Sequence, residues 1–282
     1  MLLVTGASGE LGTLIAGRLA GRPGVLLGTR EPGTGTGRRR IDFDVPGTLT
    51  EGFAGVDTLL LISAGYGEDD EVVARHGAAV TAAERAGVRH VVYTSLSGDG
   101  DHLPYALAHR WTERRLRESS LPAWTVLRNG LYAELLAFLA APGPDGVITA
   151  PLGAGRLAAV ARDDLAEAAV RVALDPARHA SRVHELVGET PLGGAELARA
   201  AGAAYAPGTL AGARERIAAS GALPFQVPML VGTYSAIAAG FLDGSGIAAA
   251  DRGTLRELLG RAPRPAAEAY TEAINSAALA TS

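Results

Sequence analysis

The chain has 282 residues, 48% of them hydrophobic, a net charge of −4 and no cysteine. This length supplies a sizeable core for one or two domains. The missing cysteines exclude disulfides and thiolate chemistry, and the mildly acidic balance gives no general attraction to nucleic acid.

Charges or glycines interrupt every apolar run, so no membrane span is expected. The first apolar strand starts at Met1 and leaves no room for a signal peptide, so a cytoplasmic protein, monomer or homodimer, is the expectation. All 26 basic residues are arginine. A lysine Schiff base is therefore impossible, as is a lysine that lowers a tyrosine pKa. The richness in Ala, Gly, Arg and Pro fits a GC-rich genome.

Leu2 to Val4 form a short apolar run, as a buried parallel strand does. Gly6, Gly9 and Gly12 follow, and then Leu11, Leu14, Ile15 and Leu19 recur at helical spacing. Strand, glycine turn and helix are the context a dinucleotide fingerprint needs. Gly6 permits the tight turn, Gly9 lets the backbone approach a pyrophosphate, and Gly12 lets the helix pack on the strand. The amides at the helix start face the phosphates, so Ser8, Glu10 and Leu11 join the glycines as cofactor-binding candidates.

A second strand, Val25 to Gly28, ends in Thr29-Arg30, where doubly wound folds read the adenosine ribose. An acid there suits NAD. Arg30 suits a 2′-phosphate, since a guanidinium binds phosphate bidentately, and NADPH is therefore favoured over NADH. Arg38, Arg39 and Arg40 add charge nearby, either for the phosphate or as a solvated run. Ile41 to Asp44 reads as a third strand, with Asp42 and Phe43 as candidates for the adenine pocket.

The fourth strand, Thr58 to Ser63, stops at small residues, and Ser63 and Ala64 are candidates to face the cofactor ribose. A helix from Glu71 to Ala86 ends at Gly87. The fifth strand, His90 to Ser95, places Ser95 at its carboxyl end, where such folds do chemistry. An arginine-rich helix spans Tyr105 to Glu118, and a sixth strand from Ala123 to Leu127 leads into Arg128-Asn129-Gly130. Beyond it come a helix at Tyr132 to Ala140, strands at 147–149 and 158–161, a helix capped by Asp163, a strand at 183–187 and then alanine-rich helix.

The alternation predicts an α/β fold: a doubly wound parallel sheet of the Rossmann type with a smaller, mostly helical C-terminal substrate lobe. Residues 1–150 are expected to bind NADP and residues 151–282 to form the lobe, partly interleaved with the sheet domain.

The stretches Thr5 to Gly12, Thr29-Arg30, Tyr93-Thr94-Ser95 and Leu127 to Tyr132 occur in one order, followed by Ala161 to Ala166 and His184 to Gly188. This pattern resembles the NmrA-like branch of atypical short-chain dehydrogenases, including its NADPH:quinone oxidoreductases. The resemblance covers residues 1–201 well and the remainder weakly. It implies NADP held by the glycine turn, Thr29-Arg30 and Ser63-Ala64, and a nicotinamide near Ser95 and Asn129. Quinone reductases of this branch carry a lysine in the helix after the fifth strand, and here that position is Arg114. Some relatives are sensors that bind NADP without turnover, so a non-enzyme reading stays open.

Ser95 and Asn129 are the catalytic candidates, expected to bind a carbonyl oxygen and stabilise its developing charge. Tyr105 and His109 stand at the spacing of a Tyr-x-x-x-Lys pair with histidine in the lysine position, or are packing residues. Tyr66, Tyr132, Phe138, Phe225 and Tyr234 are candidates to line a pocket for a small aromatic substrate, or are core. No histidine shows metal spacing, and no metal is expected. The expected function is hydride transfer from NADPH to a carbonyl or quinone of an aromatic substrate, its own phenol or water supplying the proton. The actinomycete-like composition adds an antibiotic-pathway ketoreductase acting on an angucyclinone-type ketone as a narrower expectation.

Overall fold

The computed structural model describes residues 1–64 and 67–281. Tyr66 therefore lies outside the described residues. The elements run β1 (Leu2–Val4), α1 (Glu10–Leu19), β2 (Val25–Thr29), β3 (Arg38–Arg40), α2 (Pro46–Gly52), β4 (Thr58–Leu61), α3 (Asp69–Ala86) and β5 (His90–Leu96). They continue with α4 (Ala106–Arg117), β6 (Ala123–Asn129), α5 (Ala133–Leu139), β7 (Val147–Ala150), α6 (Arg162–Leu174) and β8 (Arg182–Leu186). The last are α7 (Gly194–Ala201), β9 (Ala204–Pro207), α8 (Leu210–Ala219), α9 (Gln226–Ala238), α10 (Thr254–Leu259) and α11 (Ala266–Thr281).

Seven strands form one sheet in the order β3-β2-β1-β4-β5-β6-β8. The pairs β1–β2, β1–β4, β2–β3 and β4–β5 are parallel. Strands covered on both faces are buried along their whole length, as β1 and β5 are, and the polar residues His90, Thr94 and Ser95 of β5 are each hydrogen-bonded there. This is the doubly wound sheet expected from the alternation of elements. The order reverses beside β1, which is where such folds open a crevice for ligands.

The third strand departs from expectation. It is Arg38–Arg40, paired with Leu27 to Thr29 of β2, and Ile41 to Asp44 lie beyond it. Ile41 fills the room left by two glycines: a Cβ on Gly28 would stand 2.7 Å from its Cγ1, and one on Gly52 would stand 2.1 Å from its Cδ1. The Asp42 amide then donates to Thr48 Oγ1 at 2.9 Å, turning the chain into α2. The expected strand at 158–161 is likewise reduced to isolated bridges, Tyr132 to Val160 and Leu157 to Leu192.

The chain divides into two compact units. One comprises residues 1–95, 107–129 and 165–184, and the other residues 96–106, 130–164 and 185–282. No single cut, at 150 or elsewhere, separates them. The first unit packs Leu3, Leu59, Val80, Val91 and Tyr93 around the sheet. The second packs Leu136, Ile148, Leu197, Tyr234 and Tyr270 among its helices. Within it the hydroxyls of Tyr234 and Tyr270 donate to the Leu139 and Ala140 carbonyls, satisfying the end of α5. The pair β7–β9 forms a separate parallel two-stranded sheet there. No described helix is long and apolar enough to cross a membrane.

Candidate active site

The glycine turn follows β1. Gly6 has φ +59°, a left-handed conformation that glycine adopts without strain. A Cβ on Gly12 would lie 2.0 Å from the Gly6 carbonyl oxygen, so only hydrogen fits between α1 and the turn. Gly9 differs: a Cβ there meets nothing nearer than the Gly6 oxygen at 3.4 Å. The protein itself leaves Gly9 open, and a close approach from outside is what a side chain there would obstruct. Gly9 also begins α1 with no side-chain cap, and the amides at a helix start suit an anionic ligand. These features fit a dinucleotide pyrophosphate.

The turn is tied to β2. The Ala7 amide donates to the Gly28 carbonyl at 3.0 Å, and Thr29 Oγ1 donates to Ser8 Oγ at 3.4 Å. Arg30 stands exposed directly after Thr29. Arg38 and Arg40 are also exposed, whereas Arg39 donates to the Gly52 and Ala54 carbonyls at 2.6 and 2.7 Å, which holds the end of α2. Asp42 accepts from the Asp44 amide at 3.1 Å, and Phe43 packs partly buried on the core of its unit.

The segment after β4 is pinned by three side chains that sequence reasoning did not single out. The Ile62 amide donates to Thr5 Oγ1 at 3.0 Å, Ser63 to Thr94 Oγ1 at 2.9 Å and Ala64 to His76 Nε2 at 2.8 Å. Because His76 Nε2 accepts, its ring proton sits on Nδ1, which donates to Thr112 Oγ1 at 2.8 Å; Thr112 passes its own proton to the Ala108 carbonyl. Burial, reinforced by His109 and Arg75, lowers the His76 pKa to about 3. Ser63 and Ala64 thus have their backbone fixed by a neutral, orientation-locked histidine.

Ser95 and Asn129 end the neighbouring strands β5 and β6. Ser95 is 4% exposed, and its hydroxyl lies 2.7 Å from Glu113 Oε1 on α4. The Glu113 side chain is fully buried, and around it stand Arg128 in a bidentate pair at 2.9 and 2.8 Å, Arg110 at 2.7 Å and Arg117 at 3.1 Å. Burial alone would raise its pKa, but the hydrogen bonds from Arg128 and Ser95 and the charges of Arg128 and Arg110 bring it down to about 2. A carboxylate only accepts, so Ser95 must donate to it. This corrects the expectation that Ser95 donates to a substrate carbonyl: its one proton is taken up by Glu113, and it presents lone pairs. Asn129 is 6% exposed, and its Oδ1 has no hydrogen-bond partner. Glu113 gave one signal in sequence, as the lone acid amid the arginines of α4.

The other expectations separate in space. Tyr105 precedes α4, and its hydroxyl meets Thr233 Oγ1 at 3.3 Å. His109 instead lies 2.9 Å from the Tyr93 hydroxyl. Burial lowers the His109 pKa to about 4 and raises that of Tyr93, so Tyr93 donates to a neutral imidazole. The two residues therefore have different partners and form no dyad. Arg114 is exposed on α4, and the cation beside Ser95 is Arg110, whose Nη1 stands 3.5 Å from the serine oxygen. Among the aromatic candidates, Tyr234 is fully buried core with Arg216 on its hydroxyl at 3.0 Å. Phe138 is 47% exposed, Phe225 is half-buried, and Tyr132 carries the Arg162 guanidinium 4.7 Å from its ring centre. Among the described residues no group of three or more His, Asp or Glu is placed to hold a metal ion.

The NAD(P)H-binding family matches residues 6–176, from the glycine turn to the end of α6. The chain belongs to this family of NAD(P)H-dependent, NmrA-like oxidoreductases. Quinone oxidoreductase 2 of Escherichia coli is 34% identical over 202 residues, which cover 67% of this chain and 69% of that protein. A crystal structure of the NADPH-dependent quinone oxidoreductase from Escherichia coli, complexed with NADPH, aligns with a TM-score of 0.82 at 29% identity, covering 96% of this chain and 99% of that one. The triphenylmethane reductase of Citrobacter sp., complexed with NADP(H), aligns with a TM-score of 0.84 at 26% identity over 96% and 99% of the two chains. Within the family's match, Gly9, Gly12, Ser95, Glu113 and Asn129 all fall inside residues 6–176.

Proposed function

We propose that this oxidoreductase uses NADPH to reduce a carbonyl or quinone on a flat aromatic substrate, without a tyrosine–lysine pair. One observation carries the reading: the glycine turn, Arg30, Ser95 and Asn129 follow or end β1, β2, β5 and β6 of a single sheet. Ligands of doubly wound sheets bind at that edge. The relatives named for quinones and for triphenylmethane dyes support a flat aromatic substrate.

When bound, NADPH supplies the hydride. The Gly6 to Gly12 turn takes the pyrophosphate, Arg30 takes the 2′-phosphate and disfavours NADH, Ser63 and Ala64 approach the ribose, and Asp42 and Phe43 face the adenine. Ser95 and Asn129 contact the reacting end. Arg110, beside Ser95, supplies positive potential for the charge that develops on the substrate oxygen. The proton comes from the substrate's own phenol or from water. An aromatic polyketide ketone of the angucyclinone type is the narrower substrate, favoured by the composition, and the cytoplasm is the setting.

Steady-state NADPH oxidation over a panel of quinones and hydroxyaryl ketones tests the reading. Turnover with at least one class is expected. Tight NADPH binding with no turnover across the panel would instead assign a redox sensor.

A further inference from the structure

Two polar groups at the carboxyl edge of the sheet are left in an unusual state. Ser95 has its only proton directed at Glu113, and three arginines keep that carboxylate ionised, so the serine cannot turn round and donate to anything else without abandoning a charge-assisted bond. Asn129, on the adjacent strand, is only 6% exposed and holds a buried acceptor oxygen that has no partner. A buried acceptor without a donor costs free energy that is recovered when a ligand brings one.

The geometry points to Glu113 as a positioning residue that makes Ser95 a one-way acceptor, so that Ser95, and separately Asn129 Oδ1 on the next strand, each favour an O–H or N–H group on the bound ligand. Two sources share that chemistry: a phenolic hydroxyl beside the reducible carbonyl of the substrate, or the carboxamide N–H of the nicotinamide. The inference rests on the reductase reading above, and it adds what that reading lacks, a physical basis for choosing among substrates. Arg110 fills no more than one of the serine's two acceptor positions, through a contact at 3.5 Å that is long for a hydrogen bond and shared with Glu113, which the same nitrogen meets at 2.7 Å.

The test compares juglone, its amino counterpart and its methyl ether as oxidants of NADPH, with the parent naphthoquinone reporting the basal reaction. Binding of NADPH and of its acetylpyridine analogue, which has no carboxamide N–H, is titrated in parallel. Wild-type, Ser95→Ala and Glu113→Gln proteins are compared in every arm. If the donor is the substrate's, wild-type kcat/KM is expected to favour the hydroxyl and amino compounds over the methyl ether by about tenfold, the scale of one hydrogen bond. The preference disappears in Ser95→Ala. In Glu113→Gln, where the serine is free to donate, it shifts toward the methyl ether, although the size of the site is unchanged. A merely structural glutamate would not reverse a ligand preference. If the donor is the carboxamide, the same loss and reversal appear in the ratio of NADPH to analogue affinity, and the substrate ratios stay flat.

Equal treatment of donors and non-donors by wild type in both arms overturns the proposal, as does discrimination that survives Ser95→Ala. Should Glu113→Gln fail to fold, Glu113→Asp, which keeps the charge and shortens its reach to Ser95, takes its place, with the same shift toward the methyl ether expected. Absence of turnover even with the parent naphthoquinone would count against quinone reduction, while the cofactor arm would still test Ser95 as an acceptor.

Discussion

Arg30 lies exposed at the end of β2, one residue beyond the threonine that ties this strand to the glycine turn. If its guanidinium forks onto the 2′-phosphate, Arg30→Ala weakens NADPH binding about 10- to 100-fold, the range of a hydrogen bond between charged groups. NADH binding should hardly change. Fluorescence titration of both cofactors measures this, and equal losses for the two would remove the assignment. The glycines separate cleanly on steric grounds. Gly9→Val should leave the melting temperature close to wild type, because nothing in the protein stands within 3.4 Å of the new Cβ, and yet NADPH binding should be lost. Gly12→Ala should lower the melting temperature, because its Cβ would overlap the Gly6 carbonyl at 2.0 Å. These residues were legible in the sequence because their roles are local: a turn, a strand end, a helix start. Glu113, Thr94 and His76 were not, because each acts through partners 12 to 31 positions away that no short-range pattern records.

At the scale of elements, α4 decides which arginine matters. Residues three and four apart share a helix face, so Arg110, Glu113 and Arg117 line up toward Ser95 and Arg128. Arg114 follows Glu113 by one residue and turns to solvent. Arg114→Ala should therefore leave kcat/KM within about twofold, as expected for an exposed position away from such features. Arg110→Ala should lower kcat/KM by about tenfold or more, through loss of positive charge beside the reacting oxygen. The reverse ranking in a quinone assay would return the role to Arg114. The segment after β4 depends on β5 in the same way. Thr94→Val removes the acceptor of the Ser63 amide and strands a partly buried donor, at a cost of about 1–3 kcal/mol. Urea unfolding would register that cost, and NADPH affinity should fall with it. The strand after β2 was placed three residues too late in sequence, because Arg38–Arg40 look like a solvated run while Ile41 looks like strand. What places them is the room that Gly28 and Gly52 leave for the isoleucine, and that depends on packing rather than pattern.

Across the whole chain, the sequence made the parallel sheet legible and the second unit hardly at all. Strand and helix alternate with strong periods up to Asn129, whereas β9 pairs with β7 through an alanine- and proline-containing segment of weak strand preference. Nor does periodicity show where the chain passes from one unit to the other, since the passages fall inside elements or next to them. The sheet unit also concentrates buried histidine, and this gives the protein an expected response to acid. His76 and His109 have an ordinary pKa of 6.5, lowered by burial to about 3 and about 4 in the fold. Both are neutral when folded, so the unfolded chain binds more protons below pH 6.5 and the equilibrium shifts toward it. The stability they contribute is complete above pH 6.5 and is lost as the pH falls toward 4 and then 3. Glu113 acts in a lower window: its carboxyl falls from 4.5 to about 2, so its contribution holds above pH 4.5 and is lost beneath that. Melting temperature followed by circular dichroism should therefore be flat above pH 6.5 and decline below it in two stages. Replacing both histidines, His76→Gln with His109→Gln, keeps hydrogen-bonding capacity without a titrating ring and should shrink the upper stage to the part that His90, lowered by burial to about 4, contributes. Glu113→Gln, measured relative to its own value at neutral pH, should leave the upper stage intact and flatten the lower. An upper decline of undiminished size in the double histidine variant would place the acid-sensitive groups elsewhere in the molecule.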